Sequence, residues 1–234
     1  MEVVVSHLTR MNPGHVCAAG FDPATLRPIR PVLERPQLLP VRLCQGRPPR
    51  LRVRSVLDLH SARPCGEKPE VEDHECLLGH LVEKKQLLHS ELWPMLTKMV
   101  KPGLQAIFGK ELQPTGKTFS TPAHEGAGSL GYVHPVYRFR LHLEMDRFEN
   151  EERLKLQYVV HDRTFHLPVT DLRFYTLPDF RIDQKAVNAV NGLFEGSEDV
   201  ILAVGLTRPF MEKHWLQVNS IYFEKTDWEE LLVR

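Results

Sequence analysis

Apolar and polar positions alternate most clearly between residues 137 and 169. Tyr137, Phe139, Leu141, Leu143 and Met145 alternate with Arg138, Arg140, His142 and Glu144. Further on, Leu154, Leu156, Tyr158 and Val160 alternate with Lys155, Gln157 and Val159, and then Phe165, Leu167 and Val169 with Thr164, His166 and Pro168. Successive side chains of a strand point to opposite faces, so this pattern predicts a β-meander with one apolar and one polar face. His161-Asp162-Arg163 supplies a tight connection within it.

Two shorter patterns stand at the ends of the chain. Residues 3–6 are a β-branched run, Met11-Asn12-Pro13-Gly14 has turn chemistry, and residues 16–21 return as a second strand. Residues 201–223 hold two strands around a turn at 209–213. Each pair carries the same tripeptide at its turn, Leu8-Thr9-Arg10 in the first and Leu206-Thr207-Arg208 in the second. Such an echo fits two small related barrels or one pseudo-symmetric β domain.

Between these patterns the signals vary. Residues 51–60 alternate, with Leu51, Val53, Leu57 and Leu59 on one face, which predicts a half-buried strand. From about 79 to 100 the period becomes helical through Leu81, Leu88, Leu92, Met95, Leu96 and Met99, with Pro94 expected to kink or restart the helix. Asp183 is placed to N-cap a short helix with Val187, Val190, Leu193 and Phe194 inward and Gly196 as its stop. A last helical turn is expected over 227–232. Seven prolines between 23 and 49 exclude helix there, and residues 101–135 lack a period and read as a long loop.

Composition adds limits. A chain of 234 residues makes one large domain or two small ones. No run approaches the roughly 20 apolar residues of a membrane span, and residues 1–6 show no secretory signal. The four cysteines, Cys17, Cys44, Cys65 and Cys76, are unpatterned, which fits reduced thiols in the cytoplasm. The net charge of zero hides an asymmetry: residues 1–66 hold ten arginines, no lysine and four acids, so they carry +6 and the remainder −6. A basic segment either faces phosphates or packs on the acidic part of its own chain.

Candidate chemistry is sparse. Gly116-Lys117-Thr118 resembles the end of a phosphate loop, but Glu111 stands where that motif needs glycine. Cys65, His74, Cys76 and His80 offer soft ligands without a Cys-x-x-Cys knuckle, so no metal or cofactor is expected. Ser6 and His7, adjacent in one strand, are expected on opposite faces, and nothing resembles a nucleophile elbow. Asp162, Asp171, Asp179 and Asp183 could serve a metal-dependent nuclease only if they converged; as a strand-end residue, Asp171 reads first as a turn or cap. The polar meander face, with Arg138, Arg140, His142, Lys155, Gln157 and His166, suits either solvent or single-stranded nucleic acid. Its neighbouring rings fall on the inward register. Arg10 and Arg208 have planar forks for phosphate or carboxylate, and Trp215 with Gln217 pairs a stacking group with an amide that can read a base edge.

The ordered set "SHLTRMNPGHVCAAGFD", "RPIRPV", "GSLGYV", "LKLQYVVHDRTFHLPVTDL" and "ILAVGLTRPF…HWLQVNSIYF" resembles the prokaryotic dual OB-domain proteins. The resemblance implies a mostly β (α+β) chain of two OB-like small barrels with helical insertions, divided as 1–135 and 136–234, with the N-terminal hairpin free to pack on the second. It implies binding of single-stranded or modified nucleic acid, or of a nucleotide, and brings no enzymatic residues. Position by position it points to Arg10, Arg30, Pro31, Thr207, Arg208, Trp215, Gln217 and Asn219. Cys17 and Ala18 stand where the second copy has Trp215 and Leu216, so the two barrels are not expected to grip a base alike. A scaffold subunit that docks a protein partner, and a metal-dependent nuclease or hydrolase, are the alternatives of other classes.

Overall fold

The computed structural model describes residues 1–34, 38–46, 48–135, 139–146, 151–160, 163–196 and 199–231. The fold is mostly β, with its strands in two large sheets, a meander and one short pair. The chain opens with β1 (Glu2–Arg10), β2 (His15–Phe21) and β3 (Pro28–Leu33), each antiparallel to the one before. β4 (Leu39–Pro40) pairs with the start of β2, and β5 (Ser55–Asp58) with the start of β1. β6 (Arg63–Pro64), β7 (Asp73–Cys76) and β8 (Val82–Gln86) complete an eight-stranded sheet in the order β6-β7-β3-β2-β1-β5-β8, with β4 beside β2.

The helix expected from residue 79 begins only at α1 (His89–Met99). The preceding segment is the edge strand β8, whose Glu83, Lys84 and Lys85 keep the edge charged and discourage further pairing. Leu88 is exposed rather than inward. The Glu91 carboxylate turns back to accept the Leu88 backbone N–H at 2.7 Å and so caps α1. Pro94 lies inside α1 without ending it, and Leu92, Leu96 and Met99 seat the helix on the first core. In residues 51–60 the strand is shorter than the alternation suggests: Arg54 takes a left-handed conformation, and Val56 is buried as well as Leu57.

Residues 101–135 are not a loop. They form β9 (Val100–Lys101), α2 (Gln105–Phe108), β10 (Gln113–Thr115), β11 (Thr118–Pro122) and β12 (Leu130–Val133). Gly116 and Lys117 make the turn between β10 and β11. The meander follows as β13 (Arg140–Met145), β14 (Glu152–Val160) and β15 (Arg163–Pro168), with Leu141, Leu154, Leu156, Phe165 and Leu167 inward. The connection at His161-Asp162 lies outside the described residues. β16 (Tyr175–Thr176) and β17 (Arg181–Ile182) form a small pair, and α3 (Gln184–Phe194) is capped by Asp183, whose carboxylate accepts the backbone N–H groups of Lys185 and Ala186. The chain returns through β18 (Val200–Leu206) and β19 (Lys213–Phe223) to a 3-10 turn at Trp228–Leu231.

β18 and β19 are the centre of a six-stranded sheet, β10-β11-β19-β18-β12-β9. This sheet separates two hydrophobic cores. Ile201, Ala203, Tyr222 and Tyr132 face the core built on β1, β2 and α1, while Leu202, Val204, Val218, Ile221 and Val133 face the core built on the meander and α3. A sheet covered on both sides has no polar face, which explains the unbroken run Ile-Leu-Ala-Val-Gly-Leu. Residues 100–133 lend this sheet four strands, so it is built from both sides of the 135/136 division read from the sequence.

Candidate functional site

The two Leu-Thr-Arg strand ends open onto one cleft of about 660 Å³. β1 contributes His7, Thr9 and Arg10, β2 contributes Cys17, and β3 contributes Arg30 and Pro31. From the other side come Thr207, Arg208 and Phe210 of the β18–β19 turn, and Gln217 and Asn219 of β19. The Thr170 backbone ties the walls together: its carbonyl accepts the Arg10 N–H and its N–H donates to the Val218 carbonyl, both at 2.9 Å.

A buried carboxylate fixes two of the three arginines. β3 and β7 run parallel with Arg30 opposite Asp73. Asp73 Oδ1 accepts from Arg30 Nε at 2.5 Å, and its Oδ2 accepts from Arg208 Nη2 at 2.6 Å. Arg208 Nη1 also lies 3.6 Å from Glu70. Burial works against the Arg30 charge, but the Asp73 carboxylate outweighs it and the pKa of Arg30 is raised. Arg30 is 5% exposed, yet its Nη2 is buried with no hydrogen-bond partner. Arg10 repeats this. Its guanidinium lies over the Tyr175 ring, 4.9 Å from the centroid, and its Nε is buried and unpartnered. Among the described residues no carboxylate lines the cleft, so the charged side chains in its lining are arginines.

A polar network joins the two sides. Asn219 Oδ1 accepts from Gln217 Nε2 at 2.9 Å and from the Thr170 hydroxyl at 3.3 Å, while Asn219 Nδ2 stands 3.4 Å from His7 Nε2. His7 Nδ1 lies 2.9 Å from Ser6 Oγ, which in turn is 2.7 Å from the Tyr132 hydroxyl. The expectation that Ser6 and His7 point to opposite faces fails here. Pairing shifts between Val5 and His7, a β-bulge that leaves Ser6 unpaired and swings both side chains into one network. Burial first, then the charges of Arg30 and Arg173, lower the pKa of His7 to about 3, so its ring is neutral near pH 7. Gly205 makes room for the network, because a Cβ there would meet Asn219 Nδ2 at 2.3 Å.

Arg10, Arg30, Thr207, Arg208, Gln217 and Asn219 therefore meet in one place. Trp215 does not line it. Its ring Nε1 donates to the Phe210 carbonyl at 3.2 Å, its backbone N–H donates to Thr207 Oγ1 at 3.0 Å, and the Lys213 ammonium sits over its ring. The ring at the cleft mouth is Phe210, 62% exposed. Arg140 lies on the polar face of the meander, away from the cleft, and Arg138 lies outside the described residues. Asp73, Phe210 and the His7 network escaped the sequence reading. Asp73 is recognisable only once β3 and β7 are known to pair, since no local pattern marks it.

The described candidate carboxylates do not converge. Asp171 caps the 3-10 turn at Leu172–Phe174 and binds Arg173 at 2.8 Å, Asp183 caps α3, and Asp179 stands beside Arg181 on the surface; Asp162 lies outside the described residues. Cys65, His74, Cys76 and His80 do not gather round a common point either. All four cysteines are free thiols, and burial raises the pKa of Cys17. Much of the N-terminal basic charge is satisfied within the chain: Arg30, Arg52, Arg54 and Arg63 pair with Asp73, Glu83, Asp227 and Glu75.

Two barrel cores with an arginine-walled cleft between related strand ends define a binding protein of OB type, a scaffold that takes up many ligands. The family described as dual OB-containing domain matches residues 1–221, and the chain belongs to that family. Comparison with curated proteins and with solved structures returns no match. Among the described residues no helix is long and apolar enough to cross a membrane.

Proposed function

We propose that the cleft binds a nucleotide, free or as one unit of a single-stranded or modified nucleic acid. The observation that carries this reading is Arg30 Nη2, a buried guanidinium nitrogen without a partner, in a cleft it lines together with Arg10 and Arg208. A buried donor left unsatisfied is costly, and an anion that accepts from it removes that cost. The volume of about 660 Å³ suits one nucleotide better than a long strand. Phosphate oxygens would meet the arginine forks, and the base would lie against Phe210 with the Asn12, Gln217 and Asn219 amides at its edge. The free thiols fit a cytoplasmic site of action.

The test is titration of mononucleotides and of short single-stranded RNA and DNA at 50 and 200 mM salt. A strand held through about three phosphates loses about twenty-fold in affinity over that range, and Arg208→Gln flattens the salt slope by about 0.7. Arg208 suits this test because its side chain is 39% exposed and sits in a turn. Saturable, salt-sensitive binding that Arg208→Gln weakens supports the reading. Lack of such binding for every nucleotide and oligonucleotide tried overturns it.

A further inference from the structure

Outside the cleft, His142, Glu144 and His166 come together on the polar face of the meander. His142 and Glu144 stand two apart on β13 and share a face, and His166 reaches them from β15 across β14. The two imidazoles meet edge to face with centroids 4.8 Å apart. Glu144 Oε2 lies 3.1 Å from His166 Nδ1 and 3.7 Å from His142 Nε2. One ligand atom from each residue falls within 4.8 Å of the other two.

We propose that these three residues bind one divalent transition-metal ion of the zinc class, with solvent in the remaining position. Ligands 2.0–2.2 Å from a tetrahedral ion are about 3.3–3.6 Å apart. The two carboxylate–imidazole distances already bracket that spacing, and a shift of about 1–1.5 Å between the rings completes it. His142 Nε2 is buried and has no hydrogen-bond partner, although nitrogen atoms so placed are ordinarily satisfied.

Two imidazoles and one carboxylate suit zinc, nickel, cobalt or copper and not magnesium or calcium, which prefer all-oxygen sites. The side chains of His142, Glu144 and His166 are 30%, 46% and 24% exposed, so the open side of the ion faces water. Lys155, directly opposite His142 across the strand pair, places a positive charge beside the site. It opposes a cation and keeps the expected affinity moderate. Bound there, the ion clips β13 to β15 across the strand that separates them.

The test uses the full chain, stripped with a chelator and titrated with zinc and with cobalt. The expected result is one equivalent bound, a visible cobalt spectrum, and a thermal midpoint that zinc raises. His142→Ala and His166→Ala each weaken binding at least ten-fold and remove the thermal effect, whereas Cys65→Ser leaves both unchanged. Metal-free melting shows that the variants fold. Failure to take up one equivalent, or uptake that survives both histidine substitutions, overturns the assignment. The site lies apart from the cleft, so nucleotide binding can fail while this result holds.

Discussion

His7 gives the sharpest quantitative consequence of the cleft. Its folded pKa is about 3, against an ordinary value of 6.5. Between these values the unfolded chain binds a proton that the folded chain rejects, so stability falls as pH falls from about 6.5 toward 3. At pH 5 an unfolded-state imidazole is almost wholly protonated and the folded one almost not at all. The difference is about 1.5 factors of ten, or about 2 kcal/mol, rising to about 5 kcal/mol below pH 3. For a domain of this size 2 kcal/mol corresponds to roughly 4–8 °C in the thermal midpoint. The assay is thermal unfolding of the wild type and of His7→Gln at pH 7.5 and pH 5. Acidic groups common to both proteins cancel in the comparison, so the variant loses less stability on acidification by about that amount. An identical acid-induced drop in both proteins, or an NMR titration of the His7 ring with a midpoint above pH 5, refutes the reasoning.

Two further substitutions probe the arrangement. Asp73→Asn leaves Arg30 buried without its counter-charge and costs about 3–5 kcal/mol; chemical denaturation measures this, and inorganic phosphate is expected to raise the midpoint of the variant more than that of the wild type. Trp215→Ala leaves nucleotide affinity within about two-fold, because the ring stands outside the cleft, whereas losing a stacked base worth about 1–3 kcal/mol would cost about five-fold or more. A ten-fold loss, read by the same titration, would instead place the base on Trp215.

Legibility followed burial. The meander has one wet face, so its alternation is readable: Leu141, Leu154, Leu156, Tyr158, Phe165, Leu167 and Val169 are buried as read, whereas Leu143 is half-buried and Met145, at the end of β13, is exposed. Asp183 announces α3 because a cap is a local event. β12 is the contrary case. Leu130, Gly131, Tyr132 and Val133 lie between two cores, where no position needs to be polar, so the strand looks like loop. β8 misled through Leu81 and Leu88, whose spacing mimics a helix while the sheet edge decides the conformation. In the cleft, Arg10 and Arg208 were marked by their shared tripeptide. The bulge that turns His7 beside Ser6 and the parallel register that sets Asp73 against Arg30 depend on long-range pairing that no short window contains.

The sheet that closes both cores has a consequence for the chain as a whole. Alternate residues of β18 are ceiling to one barrel and floor to the other, so neither barrel is complete without it. The strands from residue 200 onward are therefore the keystone of a core that starts at β1, far away along the chain. The cleft inherits this dependence, since its two arginine-bearing edges are brought together only when that keystone is seated.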